Sequence, residues 1–376
     1  MQFAAPKLLF LVTEDWYFCS HRLPLACAAR DAGFEVAVAC RVREHGERIL
    51  AAGLKLIPIQ LQRSSHNPWR ELAAIGEIAA IYRRERPTLV HHVALKPVLY
   101  GSLAAKIAGI PGVINALAGM GYVFTSSKIP ARLLRPFVTL AFRLLLGRGR
   151  IILQNPDDRA ALLNSGVAKA AQISLIRGSG VDTRHFAFSA EPDHQPPVIV
   201  LPARMLGDKG VGEFVAAAQA LKARGIAARF LLIGERDPDN PAAIPVAQLE
   251  EWHASGIVEW LGRRNDMEQQ LAQANIVCLP SYREGLPKAL LEAAACGRAI
   301  VATDVPGCRE IVRDEYNGLL VPARNAEALA NALRRLIENP DQRREFGRRG
   351  REMVEQEFSV EKITAETLAL YRELLA

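Results

Sequence analysis

The stretch LPSYREGLPKALLEAAACGRAIVAT, residues 279–303, runs from the end of an apolar strand through a charged turn into an alanine- and leucine-rich helix and then a second apolar strand. A strand, a helix and another strand in this order favour a parallel sheet with helices on its faces. Glu284 lies in the turn and Glu292 in the helix. Helix capping and a solvated helix face would explain such a pair in an arbitrary protein, so the rest of the chain must decide.

The same alternation continues along almost the whole chain. In the first half, apolar runs occupy residues 7–13, 35–40, 54–59, 88–93, 112–117, 150–155 and 173–176. In the second half, they occupy residues 198–203, 228–234, 257–262, 275–280, 299–303 and 318–322. Helix-length segments separate most of these runs. The pattern predicts an α/β protein with two doubly wound, Rossmann-like domains that face each other across a cleft.

The proline-rich stretch SAEPDHQPP, residues 189–197, is typical of a linker. We therefore predict an N-terminal domain over residues 1–190 and a C-terminal domain over residues 197–358. We expect the helix over residues 359–376 to return to the N-terminal domain.

Composition narrows the class of protein without naming a ligand. The chain has 376 residues, half of them hydrophobic, and a net charge of +7, which suits nucleic acid, an anionic membrane or a phosphorylated ligand equally. Its six cysteines are scattered and include no C-x-x-C pair, which predicts a reduced cytoplasmic protein without a zinc site. No window of about 18 uninterrupted apolar residues is present, so any membrane contact should be peripheral.

The loop after the first strand of the second domain has the residues of a phosphate site. In PARMLGDKGVGEF, Arg204 and Lys209 flank a turn that contains Gly207 and Gly210, just before a predicted helix. Two cations and a helix N-terminus suit a diphosphate, because unpaired N–H groups and partial positive charge lie there. The alternative is a solvated turn with two ordinary surface cations.

The opening stretch offers complementary groups on a neighbouring strand. Gly285 and Leu286 would present backbone N–H groups to the same phosphates, and Pro287 suits the first turn of a helix. Glu292 lies about two turns into the helix, where it could hydrogen-bond the vicinal hydroxyls of a ribose. Glu284 would lie nearer the cleft.

Taken together, the segments EGLPKALLE and RMLGDKG resemble the nucleotide-sugar site of the family-4 retaining glycosyltransferases of GT-B fold. The resemblance implies that Arg204 and Lys209 stabilise the leaving diphosphate, that Glu284 contacts the donor sugar and that Glu292 holds the ribose. It also places Arg263 near the base, and it implies that the N-terminal domain binds the acceptor and the C-terminal domain the nucleotide sugar. It implies no cofactor and no metal, and the sequence has no Asp-x-Asp triplet.

The N-terminal domain departs from the family pattern at two places. The glycine-rich turn usual after the first strand is replaced by TEDWYFCSHR, and the usual histidine is missing from GVINALAGMGYVFTS. We expect the turn of Gly119, Met120 and Gly121 to approach the anomeric carbon of the donor. The candidates for acceptor contacts are Glu14, His21, His92 and Lys96, although His21 could equally be a structural histidine.

A basic stripe is predicted on the segment SSKIPARLLRPFVTLAFRLLLGRGR, residues 126–150. At about 100° per residue, four cations fall on one face of a helix: Lys128, Arg132, Arg135 and Arg143. An anionic lipid surface would attract such a face. The alternative is a core helix with a solvated face, which Pro136 would kink or divide.

Within the family, the chain most resembles bacterial enzymes that extend lipid-diphosphate-linked oligosaccharides. This resemblance implies transfer of a hexose or N-acetylhexosamine from a UDP-sugar to a polyprenyl-diphosphate-linked saccharide, at the inner face of the cytoplasmic membrane and without nucleic acid. A UDP-sugar 2-epimerase of related fold and a non-catalytic nucleotide-binding subunit remain as alternatives. A nicotinamide-dependent dehydrogenase is disfavoured, because no predicted strand is followed by a clean G-x-G-x-x-G.

Overall fold

A computed structural model of the protein describes residues 5–62, 67–117, 139–147, 149–193, 195–238 and 240–376. Within these ranges, thirteen β-strands lie at the thirteen predicted apolar runs. They form two separate sheets in which every recorded pairing of strands is parallel. The predicted α/β class with two doubly wound sheets is confirmed.

The first sheet has seven strands in the order β3-β2-β1-β4-β5-β6-β7. Its strands are β1 (Lys7–Glu14), β2 (Glu35–Arg41), β3 (Lys55–Pro58), β4 (Leu89–Val93), β5 (Gly112–Leu117), β6 (Arg150–Leu153) and β7 (Ile173–Leu175). The helices that follow these strands are α1 (Asp15–His21), α2 (Leu23–Asp31), α3 (Gly46–Ala51), α4 (Pro68–Glu85), α5 (Leu95–Ala108) and α6 (Pro156–Asn164). Residues 139–146 are also helical.

The second sheet has six strands in the order β10-β9-β8-β11-β12-β13. They are β8 (Val198–Pro202), β9 (Arg229–Ile233), β10 (Glu259–Trp260), β11 (Ile276–Leu279), β12 (Ala299–Thr303) and β13 (Gly318–Val321). Its helices are α7 (Val211–Ala223), α8 (Val246–Ala254), α9 (Met267–Ala272), α10 (Lys288–Ala295), α11 (Cys308–Ile311), α12 (Ala326–Glu338) and α13 (Pro340–Glu357), and α14 (Val360–Leu375) ends the chain.

The central strands are buried on both faces, because helices pack on both faces of each sheet. Every residue of β4, β8, β11 and β12 is buried. Parallel sheets require such continuous apolar strands, since neither face is left to water. This requirement explains why the apolar runs of the sequence coincide with the strands of the structure.

The chain divides into two compact units. The first comprises residues 1–179 and 363–376, and the second comprises residues 180–362. Most of α14 thus belongs to the first unit, where the Tyr371 hydroxyl lies 2.5 Å from Nδ1 of His91 on β4. The divisions lie before the predicted linker at residues 189–197 and after the predicted start of the returning helix at residue 359.

Each sheet has a point where the order of the strands reverses, which is where open α/β sheets bind ligands. In the first sheet this point lies between β1 and β4, and in the second between β8 and β11. The loops that follow β8 and β11 contain Arg204, Lys209 and Glu284. The topology therefore brings together side chains that are far apart in the sequence.

All six cysteines are free thiols, and five of them are buried. Their side chains act as small hydrophobic groups of the core. Among the helices that the structure describes, none has both the length and the apolar character needed to cross a membrane.

Candidate functional site

The site in the second unit is built on two loops that pack directly against each other. The loop after β8 contains a short 3-10 turn, Gly207–Lys209, and passes into α7 through Gly210, whose φ is 71°. A Cβ atom on Gly210 would lie 2.1 Å from the carbonyl oxygen of Pro280, so only glycine permits this approach to the end of β11. The backbone N–H of Tyr282 donates to the carbonyl of Asp208 at 2.9 Å and fastens the two loops together.

Both predicted phosphate-binding cations lie on these loops and are paired with carboxylates. Lys209 Nζ lies 2.5 Å from Oε1 of Glu284, and the two side chains are 22% and 11% exposed. The guanidinium of Arg204 donates to the carboxylate of Asp237, on the loop after β9. In the predicted grouping of Arg204, Lys209 and Glu284, each cation is thus paired with a carboxylate.

The turn before α10 is shaped by a glycine from a third loop. A Cβ atom on Gly307 would lie 2.8 Å from the carbonyl oxygen of Glu284 and 2.6 Å from that of Gly285. The turn then continues through Leu286 and Pro287 into α10, whose first residue is Lys288. The backbone of this predicted donor-binding segment therefore packs closely against the loop that leads into α11.

Glu292 lies in the second turn of α10 and is largely buried. Its Oε1 atom lies 3.2 Å from Nζ of Lys288, and its side chain is 14% exposed. Burial raises the pKa of the Glu292 carboxyl, while the charges of Lys288 and His185 oppose that rise. A largely buried carboxylate of this kind is a strong acceptor for hydroxyl groups once it is ionised.

Several supporting residues were not found by sequence reasoning. The Tyr282 hydroxyl donates to Oε1 of Glu213 at 2.6 Å, and the Arg324 guanidinium lies 4.5 Å from the centre of the Tyr282 ring. Burial, and then the hydrogen bond to Glu213, raise the pKa of Tyr282 to about 12. Asp237 was missed as well. Its one signal in the sequence is its position just after a strand that neighbours β8.

Arg263, predicted to lie near the base, is on the loop after β10. Its Nη1 atom lies 3.9 Å from Oε1 of Glu235, and both side chains are about half exposed. The neighbouring Trp260 donates from Nε1 to the carbonyl of Gly234 at 2.9 Å. Arg263 is thus close to the loop after β9, to which a long ion pair connects it.

In the first unit, Glu14 and Lys96 lie at the strand ends where the sheet order reverses. Glu14 ends β1, is 6% exposed and forms ion pairs with Arg43 at 3.2 Å and Arg41 at 3.8 Å. Lys96 lies in the first turn of α5, 2.8 Å from Glu71, and also donates to the carbonyl of Gln62 at 2.6 Å. The topology brings these two predicted residues to the same edge of the sheet.

The two histidines predicted for the acceptor site differ in their surroundings, and the prediction for His92 is wrong because its ring is enclosed in the core. His92 is fully buried, and its ring nitrogens lie 2.8 Å from Oδ1 of Asn115 and 2.9 Å from the Tyr82 hydroxyl. Burial lowers the pKa of His92 to about 4, so the ring is neutral at pH 7. His21 stacks on Tyr17 with ring centres 4.2 Å apart, and its Nδ1 lies 3.2 Å from the Tyr17 carbonyl. The His92 ring is therefore closed off from an acceptor, whereas the His21 ring is partly exposed and its acceptor contact stays a prediction.

The remaining predicted residues fall mostly outside the described ranges. These are Gly119, Met120 and Gly121 of the glycine turn and Lys128, Arg132 and Arg135 of the basic stripe. Arg143 is described and exposed, and it donates to the carbonyls of Gly166 at 3.0 Å and Ser165 at 2.7 Å. It thereby caps the end of α6, a structural task that the helical pattern did not predict.

Comparison with known proteins assigns both halves of the chain to glycosyltransferase families. Residues 7–155 match the family described as glycosyl transferase 4-like, and residues 196–339 match glycosyl transferases group 1. A curated relative from Campylobacter jejuni, N,N'-diacetylbacillosaminyl-diphospho-undecaprenol alpha-1,3-N-acetylgalactosaminyltransferase, is 31% identical over 331 residues. The alignment covers 85% of this chain and 86% of the relative.

Solved structures share the fold over nearly the whole length. Sucrose-phosphate synthase from Thermosynechococcus elongatus has a TM-score of 0.81 at 23% identity, covering 98% of this chain and 99% of that one. Anabaena HepE in complex with UDP and glucose has a TM-score of 0.75 at 20% identity, covering 97% of this chain and 99% of that one. By fold and by its likeness to the C. jejuni enzyme, this protein belongs to the group 1 glycosyltransferases of GT-B fold and is a glycosyltransferase.

Proposed function

We propose that the protein transfers a hexose or N-acetylhexosamine from a UDP-sugar, with retention of anomeric configuration, to a polyprenyl-diphosphate-linked saccharide. The observation that carries the proposal is the grouping of Arg204, Lys209, Glu284 and Glu292 on the loops and helix that follow β8 and β11. The name of the C. jejuni relative specifies an undecaprenyl-diphosphate-linked acceptor and an α-1,3 linkage. The complex of HepE with UDP and glucose supports UDP as the nucleotide.

In this proposal each charged side chain has a separate task. Lys209 and Arg204 bind the diphosphate and stabilise the negative charge that develops as the bond to the sugar breaks. Glu292 accepts hydrogen bonds from the ribose hydroxyls. When the donor binds, the ion pair between Lys209 and Glu284 breaks, and Glu284 accepts hydrogen bonds from hydroxyls of the sugar. Lys209 then pairs with the diphosphate in place of Glu284.

Arg204 and Lys209 also bear on whether the enzyme needs a metal ion. Positive charge fixed beside the diphosphate provides the electrostatic stabilisation that a divalent cation supplies in many phosphate-transfer sites. We therefore propose that catalysis requires no cofactor and no metal.

For localisation, we propose peripheral association with the inner face of the cytoplasmic membrane through the first unit. On the described helical residues 139–146, Leu140 and Leu144 are one turn apart and are 55% and 63% exposed. An exposed apolar pair that follows the basic residues Lys128, Arg132 and Arg135 in sequence suits an anionic bilayer, which attracts cations and accepts apolar side chains.

The membrane proposal is tested by replacing Lys128, Arg132 and Arg135 with glutamine. Each cation near an anionic surface contributes about 1 kcal/mol, so the triple variant should sediment far less with phosphatidylserine-containing vesicles, and salt should weaken wild-type binding. A matched variant removes the same charge from three exposed sites of the first unit, Arg83, Lys106 and Lys169. Equal sedimentation of the two variants would contradict the proposal.

The catalytic proposal is tested by incubating the purified protein with a panel of labelled UDP-sugars, with and without polyprenyl-diphosphate-linked saccharides. We expect one donor to be consumed only when a lipid-linked acceptor is present. NMR of the product should show the anomeric configuration of the donor. Turnover of UDP-N-acetylglucosamine without acceptor would support an epimerase instead, and absence of UDP binding would support a non-catalytic subunit.

A further inference from the structure

Each of the two cations proposed to bind the diphosphate is paired with a carboxylate, and the proposed function assigns a role to one of these carboxylates. Glu284, the partner of Lys209, is assigned to the donor sugar. Asp237, the partner of Arg204, has no assigned role. A negative charge beside a diphosphate site opposes binding of the ligand, because like charges repel. The contacts of Asp237 should therefore have a favourable effect on the site that offsets this repulsion.

The loop that carries Asp237 is fastened to the loop that carries Arg204. The N–H of Met205 donates to the carbonyl of Glu235 at 3.0 Å, and that of Gly207 donates to the carbonyl of Ala242 at 2.8 Å. The N–H of Ile244 returns a bond to the carbonyl of Met205 at 3.0 Å. These backbone bonds run in both directions between the two loops, so Asp237 has a fixed position relative to the main chain of Arg204.

The close contact between these loops depends on a glycine at the end of β9. Gly234 has a φ of 153°, and a Cβ atom there would lie 1.8 Å from the carbonyl oxygen of Ala203. Any side chain at this position would push the two loops apart. The Asp237 side chain is 17% exposed in the resulting arrangement, whereas that of Arg204 is 37% exposed. The carboxylate thus lies deeper than the guanidinium that it holds.

We propose that Asp237 is a positioning residue, which holds one edge of the Arg204 guanidinium so that the other edge meets the leaving diphosphate. This inference rests on the proposed function of the site. A guanidinium has five N–H donors in a planar fork, so a bond to Asp237 leaves donors for phosphate oxygens. The arginine side chain has many rotamers, and a partner that restrains it before the donor binds leaves less freedom to be lost during reaction.

The test is a double-mutant cycle on kcat for the UDP-sugar and acceptor identified by the panel. With Arg204 present, Asp237→Ala should lower kcat about tenfold, within the range of coupling between contacting residues. With Arg204→Ala as background, the same change should have no further effect, because the group that Asp237 positions is gone. Asp237→Asn keeps one acceptor oxygen and should recover part of the loss. Glu250→Gln, at an exposed site of α8, removes the same charge and should leave kcat unchanged.

Two results would overturn the inference. One is an equal loss of kcat from Asp237→Ala in both backgrounds, and the other is an Asp237→Asn variant with wild-type kcat and tighter UDP binding, which would mean that the carboxylate acts by charge alone. Circular dichroism checks that each variant is folded. If Asp237→Ala does not fold, the cycle is run with Asp237→Asn under the same criteria. If the wild-type protein neither binds UDP, GDP or ADP nor transfers any sugar, the proposed function itself is wrong, and the inference falls with it.

Discussion

Removing Lys209 should damage both the stability and the chemistry of the site, by amounts that can be measured separately. The Lys209–Glu284 pair is short at 2.5 Å and mostly buried, with side chains that are 22% and 11% exposed. Lys209→Ala leaves Glu284 without its cation in this mostly buried position. Exposed pairs contribute about 0–1 kcal/mol, whereas breaking a buried pair costs about 3–5 kcal/mol. We therefore expect a loss of about 1–3 kcal/mol in the free energy of unfolding.

The effect on catalysis should be larger, because Lys209 is proposed to stabilise the charge of the leaving diphosphate. Loss of one pre-placed electrostatic group typically lowers kcat about 100- to 1000-fold, equivalent to about 2.7–4 kcal/mol of transition-state stabilisation. The uncompensated charge of Glu284 should also raise the KM for the donor. Adding Glu284→Gln should recover stability, because it removes the buried charge, but it should leave kcat low.

The assay combines initial rates of sugar transfer at saturating donor with urea unfolding followed by circular dichroism. Arg229→Ala is a matched control, since it breaks an ion pair to Glu259 at 3.0 Å in the same unit. Both residues of that pair are about half exposed, and Arg229 begins β9, at the opposite end of the strand from the loop that carries Asp237. The control should retain wild-type kcat and lose less than about 1 kcal/mol of stability. A folded Lys209→Ala protein with wild-type kcat would refute the reasoning.

Four further predictions concern the two donor carboxylates, a buried histidine and metals. Glu292→Gln should weaken UDP binding by about 1–3 kcal/mol, as measured by calorimetry. In the wild-type protein, affinity for UDP should also fall as the pH drops through the raised pKa of Glu292, because only the ionised carboxylate accepts hydrogen bonds from the ribose hydroxyls. The Glu292→Gln variant should lack this pH dependence. Glu284→Ala should spare UDP affinity but slow transfer, and equal losses of UDP affinity in both variants would contradict the division of roles. The pKa of buried His92 is lowered to about 4, so its contribution to stability is complete above the ordinary histidine pKa of about 6.5 and is lost as the pH falls towards 4. Urea unfolding should show a shallower decline over this window for His92→Gln than for wild type. Transfer should persist in EDTA, and activity that is lost in EDTA and restored by Mg²⁺ would show that the two cations do not suffice.

The sequence alone predicted the strands and the fold class that the structure shows, and it proposed residues for a donor site. Buried parallel strands must be apolar on both faces, so each strand appeared as a continuous apolar run that is visible without any structure. Arg204, Lys209, Glu284 and Glu292 were predicted for that site because glycines and helix starts mark phosphate-binding loops locally. The resemblance to a glycosyltransferase family then assigned their roles.

Only the tertiary structure decided which groups these side chains contact. The partnership of Arg204 with Asp237, the fixing of Gly210 against Pro280 and the burial of His92 between Tyr82 and Asn115 all join residues from different elements. Whether a histidine at a strand end faces solvent or the core depends on the helix that packs above it. Arg143 likewise fits a basic stripe by its spacing, yet its guanidinium caps α6. Such outcomes follow from the order of the strands and the packing of the helices, which the local pattern of residues does not encode.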